Sequence, residues 1–445
     1  MLREICLGFA LLSAMPVSCQ IASTEAEAPA APQDDIQMQT PPPVNGQAYP
    51  TVVGSEARSN YLRAGVIVGT AYDDNEFGGG SLHPSGDVTY TIWPTISLDQ
   101  TNPRQHQTFT YSPGFTVYQH TSQLNNVDQN ASIGFQYRFT PYAAISVRDS
   151  FQKSSNVFNQ PNPLSGTPVS GSPESSLAGV VAPFADQITD ALSVDLSYQF
   201  NRNDMAGGEG FYTQLHFPNL SQVPGLFDSN SRGGSAFYAH RITAGQYAGV
   251  SYRYVVNQAN PTKESSETQT NTVFAFYTLY LKRTISLSVS GGPQLINATQ
   301  SGSAAYRVWR PSVMASVGWQ SSHFNVAASY LRTVAGGGGL VGAFESDSTN
   351  GSLRWRFTKT WTAGSVASYA VNRNLTPTFA LSSSSGHNAS GTITIERPIG
   401  TRMNVEAGYT RLQQKYSGIP IISAAPDSDR LFISIAYQFT RPLGR

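Results

Sequence analysis

Across residues 61–439 the chain is a succession of segments in which apolar and polar side chains alternate with period two. Each segment is about ten residues long, and no sustained 3.6-residue period competes with the alternation. Period two places every second side chain on one face of a β-strand. In 192–200 one face carries Leu192, Val194, Leu196, Tyr198 and Phe200, and the other Ser193, Asp195, Ser197 and Gln199. Near the C-terminus Ile433, Ile435, Tyr437 and Phe439 oppose Ser434, Ala436 and Gln438. Segments 249–256 and 284–290 obey the same rule. The pattern predicts eighteen strands, near 62–72, 86–98, 107–119, 128–140, 142–153, 187–200, 209–218, 235–243, 246–257, 269–281, 284–294, 306–319, 323–333, 348–358, 361–372, 387–396, 402–415 and 429–440. Alternation is weaker in 62–72 and 235–257, which leaves sixteen open as a count.

The links between segments sort by length. Short ones follow Phe139, Leu281, Trp319, Phe357 and Glu396. Between them come long ones at 154–186, 219–234, 258–268, 295–305, 334–347, 373–386 and 416–428. A soluble sandwich has no reason to sort its loops by end, whereas a transmembrane barrel has tight turns on one side and long loops on the other. Charge agrees with this reading. Only 13% of the 445 residues are charged, with 28 basic and 28 acidic side chains, against about 25% in an ordinary soluble domain. That neutral balance gives no electrostatic footprint for nucleic acid, and no nucleic-acid partner is expected.

The N-terminus reads as an export signal. Arg3 supplies a positive start, residues 5–17 form an apolar run too short to span a bilayer, and small residues follow. Residues 1–19 are assigned to this signal peptide, with acylation at Cys19 as the alternative. Both cysteines, Cys6 and Cys19, lie within it, so the expected mature chain has no disulfide and no thiol metal site. Residues 20–60, rich in Ala, Pro, Gln and acidic side chains, have no hydrophobic period and are expected to be a disordered periplasmic linker. Residues 61–445 then form the barrel domain.

Several segments close on a shared phrase: Tyr137 with Phe139, Tyr198 with Phe200, Trp355 with Phe357, Tyr437 with Phe439. Trp319 and Trp361 lie beside the same short turns. Amphipathic rings at one level suit the headgroup region of a membrane, so these ten residues are expected to form an aromatic girdle. With these residues the chain resembles a porin-like outer-membrane β-barrel of a diderm bacterium over residues 61–445. Its last segment is similar to the terminal strand that such barrels present to their assembly machinery, apart from the six residues that follow Phe439. The resemblance implies an all-β, antiparallel up-and-down transmembrane barrel in the outer membrane. Its implied partners are outer-membrane lipid and the barrel-assembly machinery, with a homotrimer as one possible assembly.

A ring of sixteen to eighteen strands leaves room for a water-filled lumen. Parity against the apolar face points Arg138, Arg148, Asp195, Arg253, Arg354, Arg356, Glu396 and Glu406 inward, with Gln136, Gln199 and Gln214 among the neutral residues. Arginines outnumber acids in this set, which fits either a wall favouring anionic solutes or a ladder of internal ion pairs. The long 154–186 link, folded inward, would be a constriction. Enzyme signals are thin. Gly337, Gly339 and Gly342 match a dinucleotide-turn spacing but precede no helix. The seven histidines have no ligand spacing, so neither metal nor cofactor is expected. His387 and Ser390 are close in sequence, yet a nucleophile and base must also meet in space. The expected function is therefore a non-enzymatic channel for small hydrophilic solutes. A barrel for exopolysaccharide secretion or assembly, and a non-conducting scaffold or adhesin, are the alternatives.

Overall fold

The computed structural model describes residues 38, 40–41, 60–75, 86–155, 186–220, 226–259, 266–281, 284–300, 305–337, 340–375, 385–417 and 427–442. Eighteen strands follow one another: β1 (Tyr61–Asp73), β2 (Asp87–Asn102), β3 (Gln105–Tyr118), β4 (Asn126–Thr140), β5 (Ala143–Ser154) and β6 (Gln187–Gln199). Next come β7 (Asp204–His216), β8 (Ser229–Thr243), β9 (Gln246–Ala259), β10 (Ser266–Leu281), β11 (Ile285–Gln300) and β12 (Tyr306–Gln320). The series ends with β13 (Phe324–Gly337), β14 (Leu340–Arg356), β15 (Thr362–Asn374), β16 (Gly386–Ile399), β17 (Met403–Tyr416) and β18 (Asp427–Pro442). Each pairs antiparallel with its neighbours in sequence, and β1 pairs with both β2 and β18. The ring is closed, so no sheet edge is left to hydrogen-bond in hydrocarbon. No helix among the described residues is long and apolar enough to cross a membrane. The crossing is made by strands.

Alternation decides which side of the wall each residue faces. Along β6, Leu192, Val194, Leu196 and Tyr198 are exposed on the outside, while Ala191, Ser193 and Gln199 are buried on the inside. Along β18, Leu431, Ile433, Ile435 and Phe439 point outward and Ser428 inward. On β10 the buried residues are Ser266, Thr268, Thr270, Thr272, Phe276 and Thr278. The protein is thus inside out relative to a soluble domain: grease outside, hydroxyls within. Hydrocarbon is the medium that tolerates such an outer face. This is an outer-membrane type of transmembrane barrel.

Alternation weakens on β8 and β9 because several inward residues are themselves aromatic, among them Phe237 and Tyr247. On the neighbouring β10, Phe276 lies flat along the wall above Gly249, where a Cβ would come within 2.4 Å of its ring. A missing side chain on one strand is what lets the ring lie on its neighbour.

Outward aromatics stand at both ends of the wall, with Tyr72, Tyr90 and Trp309 toward the long loops and a larger connected set at the short turns. Phe139, Tyr198, Phe200, Trp319, Trp355, Phe357 and Phe439 are all exposed. Tyr137 stacks on Phe135 and meets Phe139 edge-on, and Tyr437 adjoins Phe439. Across β12–β15 the rings run on as Trp319, Phe324, Trp355, Phe357 and Trp361, with successive centroids 5.4–6.5 Å apart. Arg397 caps this row, its guanidinium 5.1 Å from the Trp361 ring centre. Phe324, which bridges the two tryptophans, stands outside the repeated phrase in the sequence.

Strands run on into expected loops at residues 204–208, 229–234 and 295–300, and the wall itself departs from the sequence expectation at one further link. The 334–347 link, expected as a long loop, is strand for nearly its whole length: β13 runs on to Gly337 and β14 resumes at Leu340. Pairing between β12 and β13 nevertheless stops at Val313 and Arg332, although both strands continue. Pro311, which has no N–H to donate, lies just past this point, and Ser312 Oγ donates to the Arg332 carbonyl at 3.0 Å. Beyond it the β13–β14 hairpin leaves the wall and turns into the barrel, next to β9 and β10 as well as its sequence neighbours.

Candidate functional site

The lumen is the candidate site, and among the described residues the β13–β14 hairpin reaches into it. With β12 left behind, the Val334 N–H and carbonyl have lost their strand partner. The Gln294 side chain on β11 replaces it, accepting from the N–H and donating to the carbonyl, each at 2.9 Å. One amide thus stands in for a strand, since buried backbone groups require partners. Ile296 and Ala298 of β11 pack against Val334 and Ala343 of the hairpin, with Tyr306, Val308 and Leu375 around them. The opposite face of the hairpin presents Leu340 and Phe344 to Phe217 and Leu226, from the β7–β8 link, and to Tyr416 of β17. Asn372 Nδ2 donates to the Tyr416 hydroxyl at 2.5 Å. The hairpin therefore bridges the long-loop end of the lumen from β11 across to β7 and β17.

Charges hold its root. Arg332 pairs with Glu345, and its Nε lies 3.8 Å from Asp347. Asp347 also accepts from the Tyr330 hydroxyl at 2.9 Å and pairs with Arg373 at 3.3 Å, while Arg310 reaches Glu345 at 3.8 Å. At the tip, Gly342 has a φ of +113°, a conformation that glycine alone adopts without strain.

The short-turn half of the lumen is lopsided. Along β7–β12 the inner wall is covered: Phe237, Ala239, Tyr247, Phe276, Thr278, Ser286 and Ser288 are all buried. Along β14–β18 and β1–β5 it is more open, with Ser132 exposed and Arg356 also exposed. The water-accessible crescent holds most of the charged residues read from parity. Arg148 and Asp195 pair at 2.5 Å with side chains 32% and 21% exposed, and Arg354 and Glu396 at 3.4 Å with 30% and 28%. Arg138 lies on the inner face of β4, two residues from Gln136, which is paired with Ser146. Glu406 lies opposite Glu396 across β16 and β17. Arg253 is on the inner wall of β9, opposite Ser235, with its guanidinium 5.0 Å from the Phe211 ring centre. Arg148–Asp195 and Arg354–Glu396 are thus ion pairs, and Arg138, Arg253, Arg356 and Glu406 lie at other points of the inner wall.

Gln214 is a correction. It is paired with Asp190 and Asn230 on the outer face, within 3.5 Å of the exposed Tyr212 hydroxyl. The strand begins at Asp204, earlier than its weak, glycine-rich alternation suggested, and the inward residues of β7 are Met205, Glu209, Phe211 and Thr213. Trp93 and Phe432 also face inward, on β2 and β18. Their parity relative to Thr91 and Ser434 could have shown this from the sequence alone.

His387 and Ser390 lie on opposite faces of β16: His387 neighbours the exposed Tyr369 ring, and Ser390 is hydrogen-bonded to Ser368 inside. They cannot form a nucleophile–base pair. Among the described residues no group of His, Cys, Asp or Glu is placed to hold a metal ion. The signal-peptide residues, Cys19, Gly339 and most of the 154–186 link lie outside the described residues, and so does nearly all of the 20–60 linker apart from Met38, Thr40, Pro41 and Asn60.

No family model matches the chain, and no curated protein matches it. Among solved structures it is similar to OccK2 (OpdF) of Pseudomonas aeruginosa, with 10% identity and a TM-score of 0.43 over 86% of this chain and 98% of that one. It is also similar to the FrpB iron transporter of Neisseria meningitidis (F3-3 variant), with 8% identity and a TM-score of 0.41 over 85% and 81%. A third is the siderophore receptor PirA of Pseudomonas aeruginosa, with 11% identity and a TM-score of 0.41 over 86% and 81%. Nothing about activity follows from similarity this distant, and the barrel assignment rests on the chain's own closed strand order and apolar outer face.

Proposed function

We propose that the protein is an outer-membrane passage for small hydrophilic solutes, with its short turns toward the periplasm. The observation that carries this reading is the accessible crescent of the inner wall, where hydroxyls, amides and paired charges face water within a closed ring of eighteen strands. A ring of this size has space for water between its walls unless something fills it. The inward hairpin at the long-loop end then acts as the filter, setting which solutes fit past it.

Purified protein added to a planar bilayer should give discrete conductance steps. A barrel that is folded, judged by different mobility of boiled and unboiled samples on a denaturing gel, yet silent under voltage would overturn the reading. A second version has the passage carry saccharides, and it is favoured by the inward Trp93 and Phe432 flanking β1, since aromatic faces stack on sugar rings. Transient block of the steps by short oligosaccharides, lost in Trp93→Ala, would select that version.

A further inference from the structure

The covered side of the short-turn mouth contains an apolar floor in an otherwise hydroxyl-lined wall. Met205 of β7, Phe237 and Ala239 of β8, Tyr247 of β9 and Phe276 of β10 pack together there, with Tyr280 beside them. The ladders joining β6 to β10 are complete without any further segment. An apolar floor facing a water-filled mouth would be a costly surface if bare.

It is not bare. Met38, from far upstream of the first strand, is buried in this cluster. Its backbone N–H donates to Gln199 Oε1 at 2.8 Å, and Gln199 Nε2 donates in turn to the Arg202 carbonyl at 3.2 Å, which fixes the amide orientation. Two residues on, Thr40 Oγ1 lies 3.9 Å from Met205 Sδ, and Pro41 is buried too. A main-chain hydrogen bond beside a side-chain pocket is how an extended peptide is recognised. The eighteen residues 42–59 reach up to about 60 Å when extended, ample to carry this segment from the start of β1 across the mouth.

We propose that the segment centred on Met38 is a tethered plug, seated on a peptide site formed by Gln199, Met205, Phe237 and Phe276, and that it must leave before the β7–β10 side of the passage conducts. The proposal rests on the pore reading above. Its chemistry sets what can compete for the seat: an extended peptide with one unbranched apolar side chain.

The test compares the full chain with Met38→Asp, and with a Thr40→Cys, Met205→Cys pair, all in planar bilayers. A carboxylate in the floor forfeits a buried Met side chain, so the ratio of open to plugged levels should rise roughly tenfold or more. Oxidising the cysteine pair should hold the low level, and reductant should release it. If Met38→Asp and the oxidised pair both conduct as the unaltered chain does, the plug is wrong and the pore reading stands. If every form is silent, although each shows the gel shift of a folded barrel, the pore reading fails and the plug with it.

Discussion

Gln294 shows how much one side chain can decide. It is fully buried, and it holds both main-chain groups of Val334 after β13 parts from β12. Gln294→Leu keeps the volume and removes both bonds, and each stranded backbone group costs about 1–3 kcal/mol. The barrel should still assemble, but the hairpin should leave the lumen more often. Protease added from the long-loop side should then cut near the hairpin tip faster than in the unaltered protein, and equal rates would show that the amide does not hold it. Gly342→Val forces a branched side chain into a φ of +113°, at a cost of about 1–3 kcal/mol, and should speed cleavage in the same way. Because both changes release one element, their combination should fall short of additive. The Arg148–Asp195 pair supplies a different kind of prediction. With both side chains partly in water, its contribution to stability is at most about 1 kcal/mol. Asp195→Asn should therefore leave folding intact while baring a cation in the crescent. The reversal potential in a salt gradient should move toward that of chloride, and no movement would place the pair off the ion path.

At the scale of elements, strands were legible because they repeat one rule, and the rule weakens where inward residues are aromatic, as on β8 and β9, or where glycines interrupt it, as on β7. Of the seventeen links the β13–β14 one departs most from the spacing of the segments, since its strands continue nearly to the turn. Residues 334–347 contain apolar and charged side chains with no clear outer face, so they look like loop in a sequence scan. In the structure both faces are covered, one by Ile296 and Ala298, the other by Phe217, Leu226 and Tyr416. A hairpin covered on both sides has no lipid face to betray it. The aromatic pairs at strand ends were legible because their rings recur one pleat apart, whereas Phe324 and Tyr238, isolated in sequence, needed the neighbouring strands to bring them beside Trp319 and Phe200.

For the whole molecule, the central physical statement is that the two faces of one wall meet different solvents. Adjacent residues on β16 test it. Ile393 is 60% exposed on the outside, whereas Thr392 points inward and shares a hydrogen bond of 3.1 Å with Thr410. Ile393→Arg places a charge in hydrocarbon and should cost about 2–4 kcal/mol, read as a lower urea midpoint for refolding into detergent or lipid. Thr392→Arg should cost far less, because its side chain can extend into water. Equal costs at the two positions would mean that the outer face does not meet lipid.

The sequence by itself determined that the chain is a succession of sixteen to eighteen antiparallel strands, the face that most residues take and the aromatic pairs beside the short turns. These follow from period-two geometry and from the short reach of tight turns, both local properties. Only the tertiary structure decided that β13 and β14 abandon the wall, that Gln294 replaces a strand, and that Met38 seats itself on the floor of the mouth. Those outcomes depend on groups distant in sequence competing for the same hydrogen bonds and apolar surface, and alternation along a single strand contains no record of that competition.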